Sequence, residues 1–375
     1  METNPEVLIV GGGLAGLVAA IHLSKAGLAV TLIEKTVYPR HKVCGEYVSN
    51  EILAYLQDLD VDIFQLNPTQ ITKLQFSNRR GKMVTATLPL GGFGISRYAL
   101  DDFLYQKALK NGCTILKETV TDMVFVEGAF NVITDHQSLS TPIVMGAYGK
   151  RSNIDQVLKR DFMRKPSPWL AVKAHYTGEF PNDLVGLHNF QGGYCGISKV
   201  ENNSINICYL ADYKTFKKYK NITEYQQQVL YKNKHLKEVF EKSTLQFEKP
   251  LTISQISFDQ KSTVENHILM IGDTAGLIHP LCGNGMAMAI DSAKIASEVV
   301  LEYYATTTKS RALLEKKYTQ QWNKQFAKRL LIGRLLAKAL EYETITTVIL
   351  NAAVAIPSLL PWIIKQTHGK PLSIK

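Results

Sequence analysis

The run Val7-Leu8-Ile9-Val10-Gly11-Gly12-Gly13-Leu14-Ala15-Gly16 decides the fold. Four apolar residues lead into a G-x-G-x-x-G turn, a helical apolar pattern follows, and Val30-Thr31-Leu32-Ile33 closes on Glu34. This order predicts strand, turn, helix, strand and terminal acid, the unit that binds dinucleotides. Gly11 permits the tight turn, Gly13 admits a pyrophosphate against the backbone, and Gly16 lets helix and strand approach closely. The first helical residues, Leu14 and Ala15, offer free N–H groups to the phosphates. Glu34, with Lys35 beside it, lies close to the offset of about 20 residues at which a carboxylate accepts from both ribose hydroxyls. That carboxylate repels a 2′-phosphate, which disfavours NADP, while FAD and NAD both fit the glycines.

The chain has 375 residues, 45% hydrophobic and 20% charged, ordinary values for a globular protein with a large core. Its five cysteines (Cys44, Cys113, Cys195, Cys208 and Cys282) form no C-x-x-C pair, so neither a metal site nor a disulfide framework is expected. The acidic start and the glycine break argue against a signal peptide, and a reducing cytoplasm is the expected compartment. Net charge is +10, with no nucleic-acid motif to use it.

Residues 71–88 alternate around Arg79-Arg80-Gly81 and predict a hairpin, and residues 97–111 predict an amphipathic helix stopped at Gly112. A helix is expected over 50–59 and others over 222–243. Residues 168–212, rich in β-branched and aromatic side chains, predict an antiparallel sheet. Ile268-Leu269-Met270-Ile271 reads as a buried strand, followed by Gly272-Asp273 and a small-residue helix over 285–303. The expected fold is α/β: a Rossmann-like dinucleotide-binding domain, which the resemblance given below makes an FAD-binding domain, with an inserted antiparallel substrate domain and a helical C-terminus. The division places residues 1–65, 96–160 and 260–308 in the first, 66–95 and 161–259 in the second, and 309–375 in the third.

The segment Gly272-Asp273-Thr274-Ala275-Gly276-Leu277-Ile278-His279-Pro280-Leu281-Cys282-Gly283-Asn284-Gly285-Met286 resembles the second flavin motif of FAD-dependent oxidoreductases. The superfamily is that of the geranylgeranyl reductases and the aromatic hydroxylases. The resemblance implies that Asp273 holds the ribityl chain, and that Pro280 and Gly283–Met286 set backbone N–H groups beside the flavin. A helix N-terminus there would stabilise the charge of a reduced ring. Ile95-Ser96-Arg97 resembles the family's helix whose Arg approaches the flavin. Gly146-Ala147-Tyr148-Gly149 stands where the family writes G-A-D-G, with Tyr148 in place of Asp.

Lys42-Val43-Cys44-Gly45-Glu46 resembles the reductases' C-G-E segment beside the ring, which marks Cys44 and Gly45 as cofactor neighbours. Cys44 is a candidate proton relay and Glu46 a candidate acid or base, or else a loop residue accepting backbone hydrogen bonds. Tyr194-Cys195-Gly196-Ile197-Ser198 stands at the reductases' Y-x-W-x-F-P signature, with Gly196 and Ser198 in place of its Trp and Phe. The halogenases' W-x-W-x-I-P signature is absent. His279 reads as structural.

Two chemistries remain, and the broken signature inclines this reading to the first: an NAD(P)H-driven monooxygenase acting on an apolar aromatic, polyketide or prenyl substrate. The other is reduction of a lipid double bond, with Cys44 or Tyr194 completing the protonation. A non-catalytic FAD protein is the third reading. NAD(P)H would bind transiently, since no second dinucleotide turn exists. From Trp322, apolar Phe326, Leu330, Leu336 and Leu340 share a stripe with basic Lys324, Lys328, Arg329, Arg334 and Lys338 around it. The stretch 309–364 either lids the cavity or meets the inner face of a membrane. Pro357 and Pro361 argue against one spanning helix.

Overall fold

The computed structural model describes residues 4–373. A six-stranded sheet runs in the order Val264–Glu265, Ile268–Met270, Ile143–Gly146, Val7–Val10, Val30–Ile33, Thr114–Leu116. All neighbours are parallel except the antiparallel edge at Val264–Glu265. Val7–Val10 and Val30–Ile33 are buried at every position, which is why they are continuous apolar runs rather than alternating ones. Helix Leu14–Lys25 packs between Arg97–Lys110 and Gly285–Ala305. Its residues 14–24 are all buried, as an all-apolar helix requires. His22 is tolerated because its Nδ1 meets the Tyr55 hydroxyl at 2.8 Å.

A second, nine-stranded sheet runs Ser243–Leu245, Trp169–Gly178, Ile205–Asp212, Gly193–Lys199, Leu184–Phe190, Thr69–Ser77, Met83–Gly94, Tyr47–Ser49, with Leu251–Ser254 also on Trp169–Gly178. It is antiparallel but for the parallel pair of Leu184–Phe190 with Thr69–Ser77. The hairpin expected at 71–88 is Thr69–Ser77 with Met83–Gly94. Tyr47–Ser49, grouped with the cofactor domain from sequence, pairs with 92–94 and so belongs to this sheet. The helix expected over 50–59 divides into a 3₁₀ turn, Asn50–Ile52, and a short helix, Leu53–Asp58. Likewise 222–243 breaks into Ile222–Gln228 and Lys234–Glu241, the second capped by Asn233.

Strand Trp169–Gly178 is buried on both faces over its first eight residues except Trp169 itself, which is partly exposed. Leu170, Val172, Ala174 and Tyr176 pack on the helices through Tyr225, Leu236 and Phe240. Ala171, Lys173 and His175 therefore face the other way, toward the cofactor domain. A small sheet of Val120–Val126, Ala129–Thr134 and Ser138–Thr141 completes the β-structure.

The C-terminal helices are Arg311–Leu340, Glu343–Ala355 and Leu359–Thr367. The first buries Leu314, Tyr318, Trp322, Phe326 and Leu330 in the core of the parallel sheet; of the stripe expected from sequence, Trp322, Phe326 and Leu330 are buried, whereas Leu336 and Leu340 are only partly so. Among the described residues no single helix is long and apolar enough to cross a membrane. The last two pass that test only together, bent by 119° at the break.

Candidate flavin and substrate site

The glycine turn is built for close approach. Gly11 has φ +108°, and a Cβ there would lie 2.5 Å from the Ala147 carbonyl oxygen. A Cβ on Gly16 would lie 2.0 Å from the Gly11 oxygen, so Gly16 serves packing. Gly13 is open, its nearest neighbour being an Arg97 nitrogen 3.9 Å from an added Cβ. Glu34 accepts from the Gly12 N–H at 2.8 Å, from the Thr36 hydroxyl at 2.7 Å and from Arg40 at 3.0 Å. Burial opposes its ionisation, but Thr36, Arg40 and the Gly12 amide prevail and lower its pKa below the ordinary 4.5. Arg97 grips Asp101 through two bonds of 2.7 and 2.8 Å, and Lys42 meets the same carboxylate at 2.8 Å. Two cations are thus held on one buried acid, Arg97 beside Gly13 and Lys42 on the same cavity wall.

The second motif closes the other side. Gly272 (φ +61°) donates to Ser292 at 3.0 Å, and Lys261 Nζ ties the carbonyls of Lys150 and Asp273 together at 3.0 and 2.9 Å. Burial lowers the Lys261 pKa to about 8. Gly283 has φ +64°, and helix Gly285–Ala305 starts immediately after it. This helix and Leu14–Lys25 both begin without a side-chain cap or an acid in the first turn. By contrast Arg97–Lys110 and Arg311–Leu340 are capped by Ser96 and Ser310. Unsatisfied N–H groups at two helix starts, both lining one cavity, fit a ligand with phosphates at one end and an electron-accepting ring at the other. FAD fits these residues.

The cavity has a volume of about 740 Å³ and reaches from Gly11, Gly13, Leu14, Ala15, Glu34, Lys35 and Arg97 to the C-terminal helices. Gly45, Gly272, Asp273, Pro280, Gly283, Gly285 and Met286 also line it. Asn284 is absent from that lining, and its buried side-chain amide donates to the Thr367 carbonyl at 2.9 Å, anchoring the last helix. Beyond the flavin motifs the wall is Cys44, Tyr194, Gly196 and Cys208, then apolar Leu74, Leu187 and Leu210. Leu336, Leu340, Ile349, Leu360 and Ile364 roof it, so these helices lid the cavity.

Loop 41–46 carries Cys44. The carbonyls of Cys44 and Gly45 accept from Asn206 Nδ2 at 3.2 and 2.8 Å. Burial raises the Tyr194 pKa well above its ordinary value, which keeps its hydroxyl a proton-bearing donor, and no described residue bonds to it. Glu46, with φ +54°, is fully buried. It accepts from the Arg97 N–H at 2.8 Å, Lys173 Nζ at 3.1 Å and His175 Nε2 at 2.6 Å. Burial opposes its charge too, yet His175 and Lys173 hold its pKa down. Its oxygens are thus taken by protein donors. His279 packs against Tyr194, Trp169 and Phe258 with centroids 5.7, 6.2 and 4.6 Å away, and burial pushes it to about 4. It is a neutral packing residue, as the sequence suggested. Tyr148 turns its hydroxyl to Met270 Sδ at 3.2 Å.

Lys173, His175, His41 and Asn206 were missed from sequence. The available signal was Lys173 and His175 two apart in an otherwise apolar strand, which puts both on one face.

A pH effect follows. The folded pKa of Glu34 is depressed, so its stabilising contribution is complete above the ordinary value and is lost as pH falls through the lower folded one. Asp101 behaves alike: burial is outweighed by Arg97 and Lys42. Thermal stability is expected to drop on acidification below about pH 4, and Glu34→Gln should flatten that drop. A Glu34→Gln protein with the wild-type acid profile would contradict the assignment.

Comparison with known proteins supports this geometry. The family profile described as FAD binding domain matches residues 4–330. The digeranylgeranylglycerophospholipid reductase of Methanococcus vannielii is 24% identical, over 100% of this chain and 95% of its own length. The flavin-dependent brominase Bmp2 superposes with a TM-score of 0.80 at 17% identity, covering 97% of this chain and 93% of that one. A geranylgeranyl bacteriochlorophyll reductase-like protein from Thermoplasma acidophilum gives 0.74 at 18%, covering 96% and 98%. Those two structures show the fold alone. With the family profile spanning both flavin motifs, the chain belongs to the FAD-binding oxidoreductases that include geranylgeranyl reductase-like enzymes and flavin monooxygenases.

Proposed function

We propose that the chain reduces a carbon–carbon double bond in an apolar, isoprenoid-type lipid, with NAD(P)H as a transient electron donor. One observation carries the reading: the Cys44 thiol and the unbonded Tyr194 hydroxyl share the wall of an apolar cavity continuous with the dinucleotide turn. Alkene reduction needs a protein proton as well as a hydride, and this wall supplies proton-bearing groups. The full-length similarity to a digeranylgeranylglycerophospholipid reductase agrees with it. Bound FAD would supply the two-electron chemistry. Arg97 and Lys42 then neutralise its phosphates, Glu34 holds its ribose, and the C-terminal helices exclude water from the reacting end. Tyr194→Phe is expected to lower turnover about 10²-fold with FAD binding unchanged. Equal turnover in rapid-mixing assays would remove Tyr194 as the donor.

Oxygenation is the second reading, favoured by Gly196. An added Cβ there would meet only Cys208 O and Leu187 Cδ2, both at 3.7 Å. The glycine therefore leaves space rather than satisfying the backbone, and a flat aromatic ring could use it. Mixing reduced enzyme with O₂ separates the two: a hydroxylated product supports oxygenation, a saturated one supports reduction.

The substrate reaches the cavity from a membrane surface in this proposal. Leu335, Val348, Val354 and Trp362 are 59–65% exposed on the helices whose other faces roof the cavity. Lys324, Lys328, Lys338 and Lys365 stand exposed among them. Apolar side chains ringed by cations fit an anionic bilayer. Replacing Leu335, Val348 and Trp362 by Ser should abolish sedimentation with anionic vesicles while FAD remains bound. Undiminished sedimentation would reject this surface.

A further inference from the structure

Residues 41–46, which carry the Cys44 thiol, form neither helix nor strand. Such a loop has no ladder of backbone bonds to fix its course, so its carbonyls depend on side chains for partners. Two anchors stand near its ends. Lys42 Nζ meets Asp101 at 2.8 Å. Glu46 accepts from the Arg97 N–H at 2.8 Å and from His175 Nε2 at 2.6 Å, and its carbonyl accepts from the Ile95 N–H at 3.0 Å. Between these anchors one side chain holds the loop. Asn206 is fully buried on strand Ile205–Asp212, and its Nδ2 donates to the carbonyls of both Cys44 and Gly45, at 3.2 and 2.8 Å. Asn206 is absent from the cavity lining, whereas Cys44 and Cys208 belong to it. The Cys44 thiol lies within electrostatic range of the Arg97 guanidinium and of the Cys208 thiol.

We propose that Asn206 is a positioning residue: by holding two successive carbonyls of the loop it aims the Cys44 thiol into the cavity. One amide bonded to neighbouring carbonyls fixes the two planar peptide units that bear them. The direction of the Cys44 side chain is fixed with those planes. The pin is itself rigid, because Asn206 pairs with His175 on one neighbouring strand and with Ser198 on the other. Asp101 and Arg97, which take the two ends of the loop, lie on helix Arg97–Lys110 of the cofactor domain. The thiol is therefore set against both halves of the molecule at once.

The use of this aim rests on the reductase reading. Saturating a double bond adds a hydride from the reduced cofactor to one carbon and a proton from the wall to the other. Proton transfer needs its donor within hydrogen-bond reach, and a misplacement of about 1 Å costs about 10²-fold in rate. Asn206→Leu keeps the volume and removes the donor, whereas Asn206→Asp keeps the shape and offers at most one proton. The FAD-loaded proteins are treated with iodoacetamide, and labelling of Cys44 and Cys208 is followed by peptide mass. Burial pushes the Cys208 pKa up to about 12, so this thiol labels slowly and reports any general loosening of the wall. In both variants Cys44 should label at least about 10-fold faster, with Cys208 within about twofold of wild type. Turnover should fall about 10²-fold with the lipid KM within about threefold of wild type. Unchanged labelling of Cys44, or Cys44 and Cys208 accelerating together, overturns the positioning role. Loss of FAD from both variants overturns it in favour of a purely structural one; where one variant alone loses FAD, the other decides. Wild-type turnover in Cys44→Ser, or a wild-type protein that saturates no geranylgeranyl lipid, rejects the use of the thiol in reduction. The labelling result stands apart from both.

Discussion

Gly11→Ala is expected to lose FAD and to unfold at least about 2 kcal/mol more easily than wild type. Two costs combine at this position. The backbone sits at φ +108°, a region that side-chain-bearing residues occupy only at a cost of about 1–3 kcal/mol. The new methyl also meets the Ala147 oxygen at 2.5 Å and the Tyr148 Cα at 2.9 Å, both backbone atoms that cannot swing aside. Relief requires strand Val7–Val10 to separate from Ile143–Gly146, which dismantles the floor of the phosphate site. Gly27→Ala is the control. It has φ +89° but open space around an added Cβ, so it should show the conformational cost alone and keep FAD. Chemical denaturation with flavin absorbance as a second probe checks both. Equal behaviour of the two variants would mean that the close approach at Gly11 contributes nothing.

The second large effect is expected at Lys173. Lys173→Met leaves the Glu46 carboxylate buried with its principal counter-charge removed, a change that costs about 3–5 kcal/mol. It also removes a cation–π contact with Phe247, whose ring centroid is 5.1 Å from Nζ. Glu46→Gln alone strands the ammonium and should cost a similar amount. The double variant should recover at least half of the loss, because no uncompensated charge remains. Thermal unfolding of the four proteins closes this double-mutant cycle. Additive losses would show that the two groups act independently, against the ion pair described here.

The features legible in sequence were the local ones. A strand, a glycine turn and a helix follow one another within a short segment, so Val7–Gly16 and Ile268–Gly285 announced themselves through composition and spacing alone. The apolar stripe through Trp322, Phe326 and Leu330 likewise needed only helical periodicity, and those residues are buried. Asn284 shows what a motif leaves unsaid: its side-chain amide goes to the Thr367 carbonyl through tertiary packing that no local pattern encodes. The Glu46 cluster lay further out of reach. Its members come from loop 41–46 and from a strand more than a hundred residues later, joined by a sheet register that no local pattern encodes. Glu46 stood out early through its neighbour Cys44, but its partners became visible only once Trp169–Gly178 had its faces assigned.

Reduction of a lipid double bond by this chain is decided by one anaerobic experiment. The FAD-loaded protein is photoreduced, mixed without O₂ with a geranylgeranyl-chain lipid in anionic vesicles, and followed by flavin absorbance and product mass. Reoxidation of the flavin with gain of two hydrogens by the lipid is the predicted result. A flavin that stays reduced until O₂ is admitted, and then yields an oxygenated product, would contradict it.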